Sequence, residues 1–241
     1  MLAYSKMHLF GIELFFNEFK GYMTFMEKYI EKAGKEFEVS YEVKDIEQYK
    51  TSDPEYYDHL VDSFSERWFE ITTYYPNHFR ASFFVQIFSM IEYELKKICD
   101  HYHKAKRTDF PVSDLKGSSD LDKASLFLKK TCKIDFTTLQ DDWNKINLMR
   151  KIRNRIVHHQ GKISKLDQDW NVIKDYVNKN LDAIEFKEDI DQQDDDGQPY
   201  YRDKPKFAFT IIIKNKRINE EFLKTAESFF TNLLNNHLKY N

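Results

Sequence analysis

The sequence predicts an all-α fold, a helical bundle with a small C-terminal β-hairpin and a final helix. Three observations carry that expectation. Glycine and proline, the residues that most readily end helices, number only 6 and 5 among 241 residues. Apolar residues recur at three- and four-residue spacing over long stretches. The stretches that favour strands, Ala183–Lys187 and Lys206–Lys214, come only after the helical pattern has ended. With 21 Phe and 15 Tyr the chain has ample side-chain volume for a substantial core.

In chain order, residues 5–33 form a helix, with Leu9, Ile12, Phe16, Phe19, Met23, Met26 and Ile30 on its apolar side and Gly34 as its stop. A charged, irregular stretch to about Ser52 follows. Asp53-Pro54 reads as an N-cap with proline in the first turn, opening a helix through about Tyr74 that Pro76-Asn77 breaks or kinks. Residues 78–104 give the clearest helix, striped by Phe84, Ile87, Ile91, Leu95 and Ile98. Thr108–Asp120, with Pro111 and Gly117, reads as a loop and Leu121–Thr131 as a short helix. Leu139–Gln160 is a second strong helix, striped by Trp143, Ile146, Met149, Ile152 and Ile156, with Gly161 as its C-cap. A further helix covers Leu166–Leu181. Ala183–Lys187 and Lys206–Lys214 favour strands, and the acidic, polar Asp189–Pro199 suits a loop between them. Asn219 is placed to cap a last helix carrying Phe222, Ala226, Phe229, Leu233 and Leu234.

No flexible linker divides the chain, so residues 1–241 read as one domain. Its core bundle lies at about 54–182, and the hairpin and final helix of 183–241 decorate one end. Cys99 and Cys132 do not make a disulfide framework. No apolar run approaches the roughly 20 residues of a membrane span, and nothing at the N-terminus reads as a signal peptide. The expectation is a cytoplasmic protein with reduced thiols and no membrane partner.

The net charge of −3 gives no global preference for nucleic acid, so any such signal must be local. Trp143–Leu166 supplies one: Lys145, Arg150, Lys151, Arg153, Arg155, Lys162 and Lys165, seven cations over 24 residues with no acid among them. Phosphate suits such a strip, with Arg150, Lys151, Arg155 and Lys162 as the RNA-binding candidates. The alternatives are a solvated helix face or cations favouring a helix C-terminus.

At about 100° per residue, Arg150, Asn154 and His158 share one helix face, and Arg153 sits on the shoulder between that face and the apolar stripe. A guanidinium, an amide and an imidazole together suit cleavage of a phosphodiester by its neighbouring 2′-hydroxyl. Imidazole moves the proton, and arginine stabilises charge on the non-bridging oxygens. The amide orients the imidazole or binds a phosphate oxygen. That chemistry needs no cofactor and no metal.

Arg153-Asn154, with four residues separating Arg153 from His158 near a helix end, resembles the R-x(4–6)-H signature of the HEPN superfamily. The upstream segment Phe88–Leu95 is similar to that family's preceding helix, where an acid often faces the arginine motif; Glu92 matches it. The resemblance spans about residues 78–182. It implies a helical bundle and a metal-independent ribonuclease of a toxin–antitoxin, abortive-infection or other antiviral system. It also implies a homodimer that brings two motifs into one cleft, and an antitoxin or regulatory protein as a further partner. Arg153, His158 and Asn154 are then the catalytic residues, with Glu92 supporting Arg153 and His159 also meeting the spacing. Gln160 stands where many nuclease members carry tyrosine. A non-catalytic module of the same fold, binding RNA or a partner protein, is the alternative. A purely structural helical protein docking an acidic partner is the third reading. Cys99, His101 and His103 leave a zinc site underfilled. Asp191, Asp194, Asp195 and Asp196 lack the pattern of a calcium loop and read as a solvated tip.

Overall fold

The computed structural model describes residues 2–40, 44–117, 119–188 and 209–238. It is an all-α bundle with a small antiparallel sheet. The acidic loop expected at Asp189–Pro199 and the first residues of the strand expected at 206–214 lie outside the described residues.

Helix α1 runs over Leu2–Ser40, past the stop expected at Gly34. A mid-helix glycine costs only about 1 kcal/mol against alanine, and packing beyond it outweighs that: the Phe37 ring stacks on Phe64 and Trp68. Two single-turn helices, α2 (Lys44–Glu47) and α3 (Tyr49–Ser52), replace the irregular stretch. Asp53 caps α4 (Pro54–Phe69), its carboxylate accepting the Tyr56 N–H at 3.1 Å. A π turn at Glu70–Tyr74 leads into α5 (Tyr75–Lys106), so Pro76 lies in the first turn of a new helix, where its missing N–H costs nothing.

After a 3₁₀ turn at Val112–Asp114 come α6 (Asp120–Lys130), capped by Ser119, a second 3₁₀ turn at Thr137–Leu139, and α7 (Gln140–His159). Helix α8 covers Trp170–Lys179 and α9 Arg217–Asn232, ending in a π turn at Leu233–His237. Strands β2 (Ile184–Glu188) and β3 (Phe209–Ile213) pair antiparallel. A third strand unexpected from the sequence, β1 (Lys162–Ile163), joins the other edge of β3 to give the order β1-β3-β2.

Rather than decorating one end, α9 runs through the middle of the bundle. Phe222, Leu223, Ala226, Phe229, Phe230, Leu233 and Leu234 are all buried. Phe222 packs on Phe84 and Phe88 of α5, Phe229 on Trp143 of α7, and Phe230 on Phe16 of α1. Asn219 is not its cap. That residue is buried in the first turn of α9, and its amide donates to the Arg80 carbonyl at 3.1 Å. Helices α5 and α9 thus form a central pair. On α5, Phe79, Arg80 and Phe83 meet α1, whereas Phe88 lies under Arg153 of α7. Helices α1 and α7 therefore flank the pair on opposite sides.

Candidate functional site

Helix α7 is held by its apolar stripe: Trp143, Ile146, Met149 and Ile152 are buried, and Ile156 packs at the edge of the core. Its C-terminus is set by two left-handed residues, Gln160 (φ 54°) and Gly161 (φ 81°). The Gly161 N–H reaches back to the Arg155 carbonyl at 2.9 Å, as in a Schellman closure. The Gly161 carbonyl then accepts the Ile211 N–H at 3.0 Å, starting β1 against β3. Gly161 adopts its φ of 81° without strain, whereas any other residue there would be strained, with a Cβ in contact 3.4 Å from the Ile211 oxygen.

The basic strip is not acid-free in space. Arg150 donates to Ser119 at 3.1 Å and to Asp122 of α6 at 2.8 Å. Lys151 reaches Asp169 at 2.5 Å, and Arg155, which is buried, pairs with Asp167 at 2.9 Å. Three of the four proposed RNA-binding cations therefore hold α7 against α6 and the turn before α8. Lys162 lies in β1, paired in register with Thr210.

Arg153 is different. Its guanidinium lies over the Phe88 ring, 5.4 Å from the centroid, and Nη1 donates to Asn154 Oδ1 at 3.1 Å. It makes no ion pair among the described residues, and its buried Nε has no hydrogen-bond partner. Glu92 is half-buried on α5 nearby. Desolvation raises its carboxyl pKa, and the charge of Arg153 is the largest influence pulling the other way. The acid and the arginine thus interact through the field, with no direct bond. Asn154 orients the arginine here, where the sequence had left it a choice between the imidazole and a phosphate oxygen.

His158 and His159 are exposed in the last turn of α7. His158 lies five residues beyond Arg153, about 140° around the helix, so within one chain their side chains diverge. Gln160, seven residues on, returns to the side of Arg153 about 10 Å along the axis. There it lines a cleft of about 840 Å³ formed with Tyr74, Asn77 and His78 of the π turn and α5, Lys187 of β2 and Thr210 of β3. Sequence reading missed this cleft. Its only local signs were the aromatic run before Pro76 and the Gln160-Gly161 helix end.

Cys99 is buried and its thiol pKa is raised; His103 bonds Thr108 at 2.7 Å. No group of three His, Cys, Asp or Glu side chains is placed to hold a metal among the described residues, nor is any described helix long and apolar enough to cross a membrane. Comparison with family models, curated proteins and solved structures finds no match for this chain.

Proposed function

We propose that this protein is a metal-independent endoribonuclease acting at the outer end of α7, of the kind used in toxin–antitoxin or antiviral defence. The observation that carries the reading is Arg153. It is a permanently charged group held in place by Phe88 and Asn154, with no carboxylate bound to it, on a helix whose neighbouring cations are occupied. In the reaction the RNA 2′-oxygen bonds to phosphorus and the bond to the 5′-oxygen breaks, leaving a 2′,3′-cyclic phosphate. His158 takes the hydroxyl proton or supplies one to the leaving oxygen. Arg153 stabilises the charge gathering on the phosphoryl oxygens. Glu92 tunes the field at Arg153, and His159 offers a second imidazole one residue on.

The divergence of Arg153 and His158 favours a second reading, a non-catalytic module that holds RNA or a partner protein. The homodimer and antitoxin implied by the resemblance stay with the first reading. Incubating the protein with a mixed RNA pool and EDTA decides between them. Cleavage to cyclic-phosphate ends, lost in Arg153→Ala and in His158→Ala, supports the nuclease. Salt-sensitive binding without product supports the module, and neither result leaves a helical scaffold.

A further inference from the structure

Helix α1 carries apolar residues on two opposite sides, and the fold covers one of them. Ile12, Phe16 and Met23 are buried against α5 and α9. On the outer side Met7, Phe10, Leu14, Phe25 and Tyr29, with Tyr22 at the edge where its ring also packs on Phe79 and Phe83 of α5, are each 48% to 68% exposed. At about 100° per residue these six, with Gly11 and Glu18, fall within roughly 60° of one line along the helix. A helix that is apolar all round is normally covered all round, and a contiguous exposed apolar patch marks an interaction surface. At roughly 200 Å² for a large side chain, the stripe leaves on the order of 700 Å² in water. Two such stripes together supply about 1,400 Å², within the roughly 1,200–2,000 Å² of a stable interface.

The order of residues in the stripe points to its occupant. Met7, Gly11, Leu14, Glu18, Tyr22, Phe25 and Tyr29 are separated by 4, 3, 4, 4, 3 and 4 positions, a spacing that reads the same from either end. An antiparallel second copy turned about Glu18 sets Met7 against Tyr29, Leu14 against Tyr22 and Phe25 against Gly11. The last pair fits because a Cβ placed on Gly11 meets nothing within 4 Å, which leaves a notch for a ring. Such a face is complementary to itself, as a two-fold interface requires. The one unfavourable pair is Glu18 facing its own copy on the axis.

We propose that the outer face of α1 is a homodimer interface, in which α1 packs antiparallel on α1 of a second copy of this chain. The dimer does not depend on the RNA reading. Because α1 and α7 flank α5 and α9 on opposite sides, it leaves both Arg153 surfaces on the outside. It is thus a different contact from the motif-to-motif pairing implied by the resemblance.

Sedimentation equilibrium of the full chain tests it. The wild type should dimerise with concentration. Phe25→Glu should weaken the dimer about a hundredfold, and Glu18→Gln should tighten it about tenfold by removing the axial repulsion. Both positions are exposed, so circular dichroism should show unchanged helicity. Glu18→Cys should give a disulfide-linked dimer on mild oxidation, while Lys224→Cys, exposed on α9, should not. A chain that stays monomeric at every concentration overturns the proposal. So does a dimer indifferent to Phe25→Glu, or one that Glu18→Gln and Glu18→Cys leave unchanged.

Discussion

Arg153 and Arg155 stand two positions apart on one helix, and the fold uses them in opposite ways. Arg155 is buried, with its guanidinium on Asp167, and its carbonyl accepts the Gly161 N–H that closes the helix. Arg153 rests on Phe88, braced by Asn154, and no acid neutralises it directly. Asp167 also receives the Ser164 N–H at 2.7 Å, so the Arg155 pair ties together the turn between β1 and α8. A run of basic residues is therefore not a uniform surface. What frees a cation for a ligand is the absence of an acid in three dimensions, and that is set by α6 and by the turn before α8.

This contrast can be broken or sharpened by substitution. The largest effect falls on activity: Arg153→Ala and His158→Ala should each abolish RNA cleavage while moving stability by no more than about 1 kcal/mol, the scale of one cation–π contact. Thermal melting beside the cleavage assay checks both halves. Next is Arg155→Ala. Removing one partner of a mostly buried pair leaves Asp167 uncompensated, and chemical denaturation should show a loss of about 3 kcal/mol.

The histidines repeat the contrast. His158 is exposed, whereas His8 is buried in α1 with its Nε2 at 2.6 Å from His101 Nδ1 of α5. Burial first, then the charges of His101 and Lys97, lower the His8 pKa from 6.5 to about 4. Because the unfolded chain takes up this proton more readily, the contribution is fully present above pH 6.5. It is lost as pH falls from 6.5 towards 4, by on the order of 2 kcal/mol. Denaturation at several pH values should show a shallower acid slope in His8→Gln than in the wild type. An identical slope would remove His8 from the account. The smallest effect belongs to the partly exposed pairs: Arg150→Ala and Lys151→Ala should each cost about 1 kcal/mol or less and leave RNA cleavage within a few-fold.

What could be read in the sequence follows from what is local. The stripes of α5 and α7 are legible because every third or fourth residue is apolar, and both helices lie within two or three residues of their expected bounds. The cap at Asp53 and the turn at Gly161 were visible for the same reason, since each acts on its own neighbours. Three features were hidden because their causes are distant in the chain. Helix α1 passes Gly34 because α4 packs beside it, and Asn219 serves Arg80 rather than its own helix end. Strand β1 has two residues and exists only through β3. At the candidate site, the residues at the end of α7 were found, but their division was not. Asp122 approaches from a separate helix, and Asp167 and Asp169 lie just past the end of the basic strip. Phe88 stood out as the first residue of the segment preceding the arginine motif, and nothing local shows that it is the platform for Arg153.

The most direct test compares Arg153→Ala with Arg155→Ala, measuring RNA cleavage in EDTA and thermal melting on the same samples. The account predicts that Arg153→Ala keeps its melting temperature and makes no cyclic-phosphate product. It also predicts that Arg155→Ala melts well below the wild type yet still cuts RNA at temperatures where it is folded. Cleavage that survives in Arg153→Ala, or is lost in folded Arg155→Ala alone, would contradict it.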